Sequence, residues 1–103
     1  MQALRKLVAG LVAAFIGFLA IPGQEMVVIY KSPEAFREAI ALYEANRTVT
    51  PAYISKTLGL VPKGTKAELI ECSYSYGLNK VLITTGVQAG KVGWVPIEWY
   101  HSE

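Results

Sequence analysis

The most constraining feature of this 103-residue chain is an unbroken apolar run near its N-terminus, Leu7 to Pro22, which reads LVAGLVAAFIGFLAIP. Arg5 and Lys6 precede the run, and a Gln-Glu pair follows it after Gly23. A basic head, an apolar body and a polar exit are typical of a signal peptide or a signal anchor. A membrane-spanning helix needs about 17–25 apolar residues, a length that the run approaches if Gly23 and the stem of Lys6 extend it.

Three interpretations of this run remain open. A signal peptidase requires small residues one and three places before the cut, and the pairs Phe18/Ala20 and Ile21/Gly23 fit that requirement poorly. We therefore favour a retained anchor helix within residues 1–24. A cleaved signal peptide is the first alternative, and a buried helix of a soluble domain is the second.

The charges around the run predict its orientation. Because cations resist translocation, Arg5 and Lys6 hold the N-terminus of an anchor in the cytoplasm. The chain would then be a single-pass protein of the cell (inner) membrane, with its C-terminal domain periplasmic or extracellular. If the run were cleaved, the protein would be secreted.

Small residues recur every four positions inside the run, at Ala9, Gly10, Ala13, Ala14 and Gly17. Small residues at this spacing let a second helix approach closely in a membrane. The pattern therefore predicts a helix-packing face, although apolar signal segments are also simply rich in Ala and Gly.

The charges of the remaining chain balance. Arg5 and Lys6 account for the formal net charge of +2, so cations and anions are equal in number over residues 24–103. No basic patch is visible in the linear sequence, which argues against a nucleic acid as partner.

Residues 25–57 predict a linker, an amphipathic helix and a loop. Met26–Tyr30 is a short β-branched run that fits a strand or an extended exit from the membrane. Ser32 and Pro33 are a helix cap and a first helical residue, so we expect a helix over about 33–45. The next segment predicts a strand around 53–60 or, alternatively, a short helix over 51–58 that Thr50 caps.

From Pro62 onward the sequence predicts β-structure. The segments KAELIECSYSY, KVLITTG and VGWVP alternate apolar and polar residues, and turns that contain glycine separate them. Several short strands at regular spacing predict a small barrel or sandwich, with Val81 and Ile83 directed inward.

The segments PKGTKAELIE, LNKVLITTG and GKVGWVPIEW resemble bacterial SH3-type domains, over about residues 58–100. The chain also resembles a group of small bacterial proteins, without a common assigned activity, in which a helix like 32–46 precedes such a barrel. The resemblance implies an SH3-like barrel over residues 58–103. The predicted fold class is thus α+β: an N-terminal transmembrane or signal helix, one amphipathic helix and then the barrel.

The same resemblance implies a ligand groove. In SH3 domains the residue after this Trp, here Val95, enters the core, whereas the Trp, the Pro and a following aromatic residue line a groove for extended, proline-rich chains. We predict an aromatic surface for partner binding at Trp94, Pro96, Trp99 and Tyr100. The chain contains no Asp and lacks the paired Trp of peptide-binding SH3 domains. The alternative role for both tryptophans is therefore to cover the barrel or to pack on the helix at 33–45.

Residues for chemistry are scarce. The chain has one Cys and one His, and we expect neither a Cys72–His101 dyad nor a metal site at Glu98, His101 and Glu103. We therefore predict a protein that is not an enzyme and that uses no cofactor.

Two functions fit these features. The first is a membrane-anchored accessory subunit that assembles into a larger membrane protein complex, in contact with the lipid bilayer. The second is a secreted or tethered SH3-type module that binds cell wall peptidoglycan or an extended peptide.

Overall fold

The computed structural model of the chain describes residues 16–103, which form a seven-stranded antiparallel sheet and two helices. The strands are β1 (Ile16–Leu19), β2 (Met26–Tyr30), β3 (Thr57–Pro62), β4 (Lys66–Ser73), β5 (Leu78–Ile83), β6 (Val92–Pro96) and β7 (Tyr100–Ser102). The helices are α1 (Pro33–Asn46) and α2 (Pro51–Ile54), and a 3-10 turn over Ile97–Trp99 precedes β7. The strand order across the sheet is β3-β2-β6-β5-β4-β1-β7.

The prediction of one continuous helix over the apolar run 7–22 is wrong, because residues 16–19 of that run form β1. Residues 7–15 of the predicted helix lie outside the part of the chain that the structure describes. Gly17 pairs with Ala67 of β4 on one side and with Ser102 of β7 on the other. Leu19 is completely buried. Membrane lipid and a protein core are both apolar surroundings, so an uninterrupted apolar run fits either. Among residues 16–103, no helix combines the length and the apolar character that membrane spanning requires.

The predicted order of the fold class, with a helix and then a self-contained barrel, is also wrong. Strands β1 and β2 precede α1, and both are integral to the sheet: β1 lies between β4 and β7, and β2 lies between β3 and β6. Helix α1 is therefore an insertion between two adjacent strands of one sheet. The likeness of residues 58–100 to bacterial SH3-type domains stays a prediction.

One hydrophobic core lies on one face of the sheet, which we call the inner face. Its members come from six of the seven strands and are Leu19, Val27, Ile29, Val61, Ala67, Val81, Ile83 and Val95. The predicted burial of the three residues from β5 and β6 is confirmed. Because side chains alternate between faces along a strand, the neighbours of these residues lie on the outer face.

The local signals around α1 act as expected, so the predicted helix is confirmed. The Ser32 side chain accepts a hydrogen bond from the backbone N–H of Ala35 at 3.0 Å, and Pro33 is the first helical residue. The helix ends at Arg47, which takes a left-handed conformation with φ of 56° and donates its N–H to Tyr43. Both alternatives for the next segment are partly correct, since the four-residue α2 is followed directly by β3.

Candidate binding surfaces

An aromatic cluster joins the helices to the sheet around Tyr30, the last residue of β2. Tyr30 is only 2% exposed, and Phe36 of α1 meets its ring edge-on at a centroid distance of 4.9 Å. The hydroxyls of Tyr30 and Tyr53 hydrogen-bond at 2.5 Å, so α2 is held to the same point. Burial, reinforced by this hydrogen bond, raises the pKa of Tyr30 far above its ordinary value. The cluster is therefore a structural junction between α1, α2 and the sheet.

We expect Tyr30 to make the stability of the fold decrease at alkaline pH. Its pKa is raised in the folded state above the ordinary value of 10.0, so its contribution is complete below pH 10 and is lost progressively above it. Each such group lowers the free energy of unfolding by up to about 1.4 kcal/mol per pH unit. Urea unfolding between pH 8 and 11, in roughly half-unit steps, should give a smaller alkaline loss for Tyr30→Phe than for the wild type. The exposed Tyr43→Phe is the control, and an alkaline loss equal to wild type in both variants would contradict the prediction.

The predicted aromatic surface is only partly exposed. Pro96 is buried, and Trp99 and Tyr100 are half-buried against the core. The ring centroid of Trp99 also lies 6.5 Å from that of Tyr30, the last residue of β2. Trp94 is half-exposed on the outer face, with the Lys80 ammonium 6.0 Å from its ring centroid. Partner binding by these four residues stays a prediction.

The predicted helix-packing face falls mostly on residues that the structure does not describe. Ala9, Gly10, Ala13 and Ala14 lie outside the described range 16–103. Gly17 lies in β1 rather than in a helix. A Cβ atom at Gly17 would lie 2.7 Å from the Tyr100 ring, so the small residue serves strand packing.

The residues considered for chemistry are dispersed. Cys72 of β4 lies opposite Asn79 of β5. His101 of β7 lies near Lys66, at the other end of β4, and is therefore about 20 Å from Cys72 along that strand. The His101 ring stacks on Phe18 at 5.2 Å. Glu103 pairs with Lys66. Within residues 16–103, no three His, Cys, Asp or Glu side chains converge in a way that could hold a metal ion.

A groove of about 330 Å³ lies beside the outer face of β2 and β3, and we call it the edge groove. All its lining residues are uncharged: Val28, Val49, Tyr53, Ile54, Thr57, Gly59 and Leu60. Val49 is 54% exposed, Ile54 57% and Leu60 49%, so large apolar side chains meet solvent here. Large apolar patches of this kind mark interaction sites more often than ordinary surface.

The elements around the edge groove are set by pairing and capping. Val28 and Leu60 are opposite each other in the β2–β3 pair, so their side chains share the outer face. Thr50 caps α2 by accepting a hydrogen bond from the Tyr53 N–H at 3.1 Å. The hydrogen bond between the hydroxyls of Tyr53 and Tyr30 then holds α2, which forms one side of the groove, against the sheet.

Strand β3 is an edge strand of the sheet, and few of its backbone N–H and C=O groups are free to pair with a further strand. The Lys63 N–H bonds to the Glu25 carbonyl in the same register as the β2–β3 pairs. Hydrogen-bonded and non-bonded pairs alternate along an antiparallel ladder, and the pair of Glu25 and Lys63 is bonded, so the pair of Val28 and Leu60 is non-bonded. The N–H and C=O of Leu60 therefore point away from β2, to the open side of β3. A register shift leaves Leu58 without an opposite residue, and Pro62 has no N–H. Both features limit strand addition, so the groove presents side chains rather than a long free backbone.

Sequence reasoning did not identify the edge groove. The available signals were the apolar residues on both faces of MVVIY and the cap–proline pair Thr50-Pro51 before Ile54. Comparisons of this chain with protein-family models, with curated proteins and with solved structures find no match.

Proposed function

We propose that this chain is a non-catalytic binding module that docks an apolar segment of a partner protein in the edge groove. The observation that carries the proposal is the wholly uncharged lining of that groove, together with the solvent exposure of Val49, Ile54 and Leu60. Because these side chains are already about half buried, covering the rest of one of them contributes about 1 kcal/mol.

The proposal keeps the accessory, non-enzymatic role and leaves out the anchor. The retained anchor depended on a continuous helix over 7–22, and residues 16–19 are a strand. The location of the protein is a separate prediction on which the proposal does not rest. A glycan ligand such as peptidoglycan presents many hydroxyl groups, and the apolar lining supplies few polar partners for them. An apolar protein segment, bound mainly through its side chains, is the occupant that fits the lining.

The test is to purify the tagged full chain from its source cells in mild detergent and to compare the wild type with Ile54→Asp. The variant places a charge where a partner side chain would be buried, so we expect the affinity for a stoichiometric partner to fall by about tenfold or more. Because Ile54 is exposed, the melting temperature should stay within about 2 °C of wild type.

Two further variants complete the design. Val87→Asp adds the same charge at a turn residue that is 95% exposed, and it should retain the partner. Trp94→Ala tests the predicted aromatic surface. If Trp94→Ala releases the partner while Ile54→Asp retains it, the edge groove is not the binding site.

A further inference from the structure

A second concavity, of about 320 Å³, lies between α1 and the turn that joins β4 to β5, and we call it the helix–turn cleft. Phe36 and Ile40 lie one helical turn apart and form an apolar wall. Ser75 and Tyr76 line the side of the turn, and Arg37 stands at the rim. None of these residues lines the edge groove.

Tyr76 is held in place from two directions. Its hydroxyl donates to Glu34 Oε1 at 3.5 Å, which ties the turn to the first turn of α1. The guanidinium of Arg37 lies over the ring at 4.9 Å from its centroid. This contact holds the guanidinium beside the apolar wall, and a positioned guanidinium loses less freedom when it binds an anion.

The charge and the N–H donors of Arg37 are available to a ligand. The ion pairs within residues 16–103 are Lys56–Glu38 and Lys66–Glu103, so no described carboxylate pairs with Arg37. A guanidinium carries five N–H donors in a fork that matches a carboxylate. The cleft therefore offers an unpaired cation directly beside apolar side chains.

We infer that the helix–turn cleft binds the C-terminal carboxylate of a peptide whose last residue is apolar. Such a residue carries its carboxylate and its apolar side chain on one Cα, which matches the adjacency of Arg37 to Phe36 and Ile40. The inference is independent of the edge groove.

The experiment titrates the full chain, by two-dimensional NMR, with an acetylated hexapeptide Gly-Ser-Gly-Ser-Val-Leu that has a free C-terminal carboxylate. The same peptide with an amidated C-terminus removes only the charge, and we expect it to bind about tenfold more weakly. Resonances of Phe36, Ile40 and Tyr76 should shift on binding. Absence of saturable binding by the free acid, or equal affinity of acid and amide, overturns the inference.

Matched variants locate the site. Arg37→Gln should abolish the preference for the acid, whereas Lys63→Gln removes the same charge from an exposed turn and should leave the preference intact. Ile40→Ser should weaken the acid and the amide by the same factor, because it alters only the apolar wall. Loss of the preference in Lys63→Gln as well, or binding of inorganic phosphate as tight as that of the acid, overturns the inference. Ile54→Asp should bind the peptide normally, so failure of the edge groove leaves this result unchanged.

Discussion

Gly93→Val is expected to destabilise the fold by about 3 kcal/mol or more, a large share of the roughly 5–15 kcal/mol that stabilises a small domain. Gly93 lies in β6, where β2 meets it with Tyr30 opposite Trp94. A Cβ at Gly93 would collide with the Ile29 side chain, lie 2.8 Å from Leu58 Cδ1 and 3.0 Å from the Tyr30 carbonyl oxygen. Ile29 is buried and the carbonyl is backbone, so neither can move aside without disturbing the core.

Urea unfolding measures this loss, and Thr84→Val is the control. Thr84 is exposed beyond the end of β5, so a valine there adds no internal volume and should change the free energy of unfolding by less than about 0.5 kcal/mol. A cost below about 1 kcal/mol for Gly93→Val would contradict the close crossing of β2 and β6.

Leu19→Ala is expected to cost about 2–5 kcal/mol, because it removes a fully buried side chain and leaves a cavity among the core residues. The variant also tests the strand assignment of the apolar run. A membrane helix outside the folded domain would leave the stability of that domain unchanged when one leucine is truncated. In β1, by contrast, the Leu19 N–H bonds to the Thr65 carbonyl at 2.9 Å and its side chain completes the core.

The control for Leu19→Ala is Leu60→Ala. Leu60 is a leucine of comparable strand context that remains 49% exposed, so its truncation should cost less than about 1 kcal/mol. Equal costs for the two variants in chemical denaturation would contradict the burial of β1.

The N-terminal apolar run shows how the same residues can satisfy two environments. Its composition came close to the membrane criterion because Ile, Gly, Phe and Leu are apolar whichever neighbours they have. The strand assignment depends on partners far away in the chain, since β1 pairs with residues 66–68 and 100–102. Local periodicity over four residues contains no information about those partners.

The candidate sites also depend on contacts between residues that are far apart in the sequence. The sequence identified Trp94 and Trp99 from their motif, but Trp99 packs on Tyr30, which belongs to a strand that precedes the helix. The edge groove combines residues from β2, α2 and β3, and the helix–turn cleft combines α1 with residues 75 and 76. Each concavity forms where separate elements meet, so it cannot be predicted from any single stretch of the sequence.

The sequence by itself determined the elements that rest on local interactions. Ser32 and Pro33 begin α1, glycines close the turns, and alternation predicted that Val81 and Ile83 face inward, while the resemblance to SH3-type domains implied the same for Val95. Only the tertiary structure decided that residues 16–30 supply two strands of the same sheet and that α1 is inserted between strands. The physical reason is that caps, turns and alternation act within a few residues, whereas strand pairing and burial depend on residues that are far apart in the chain.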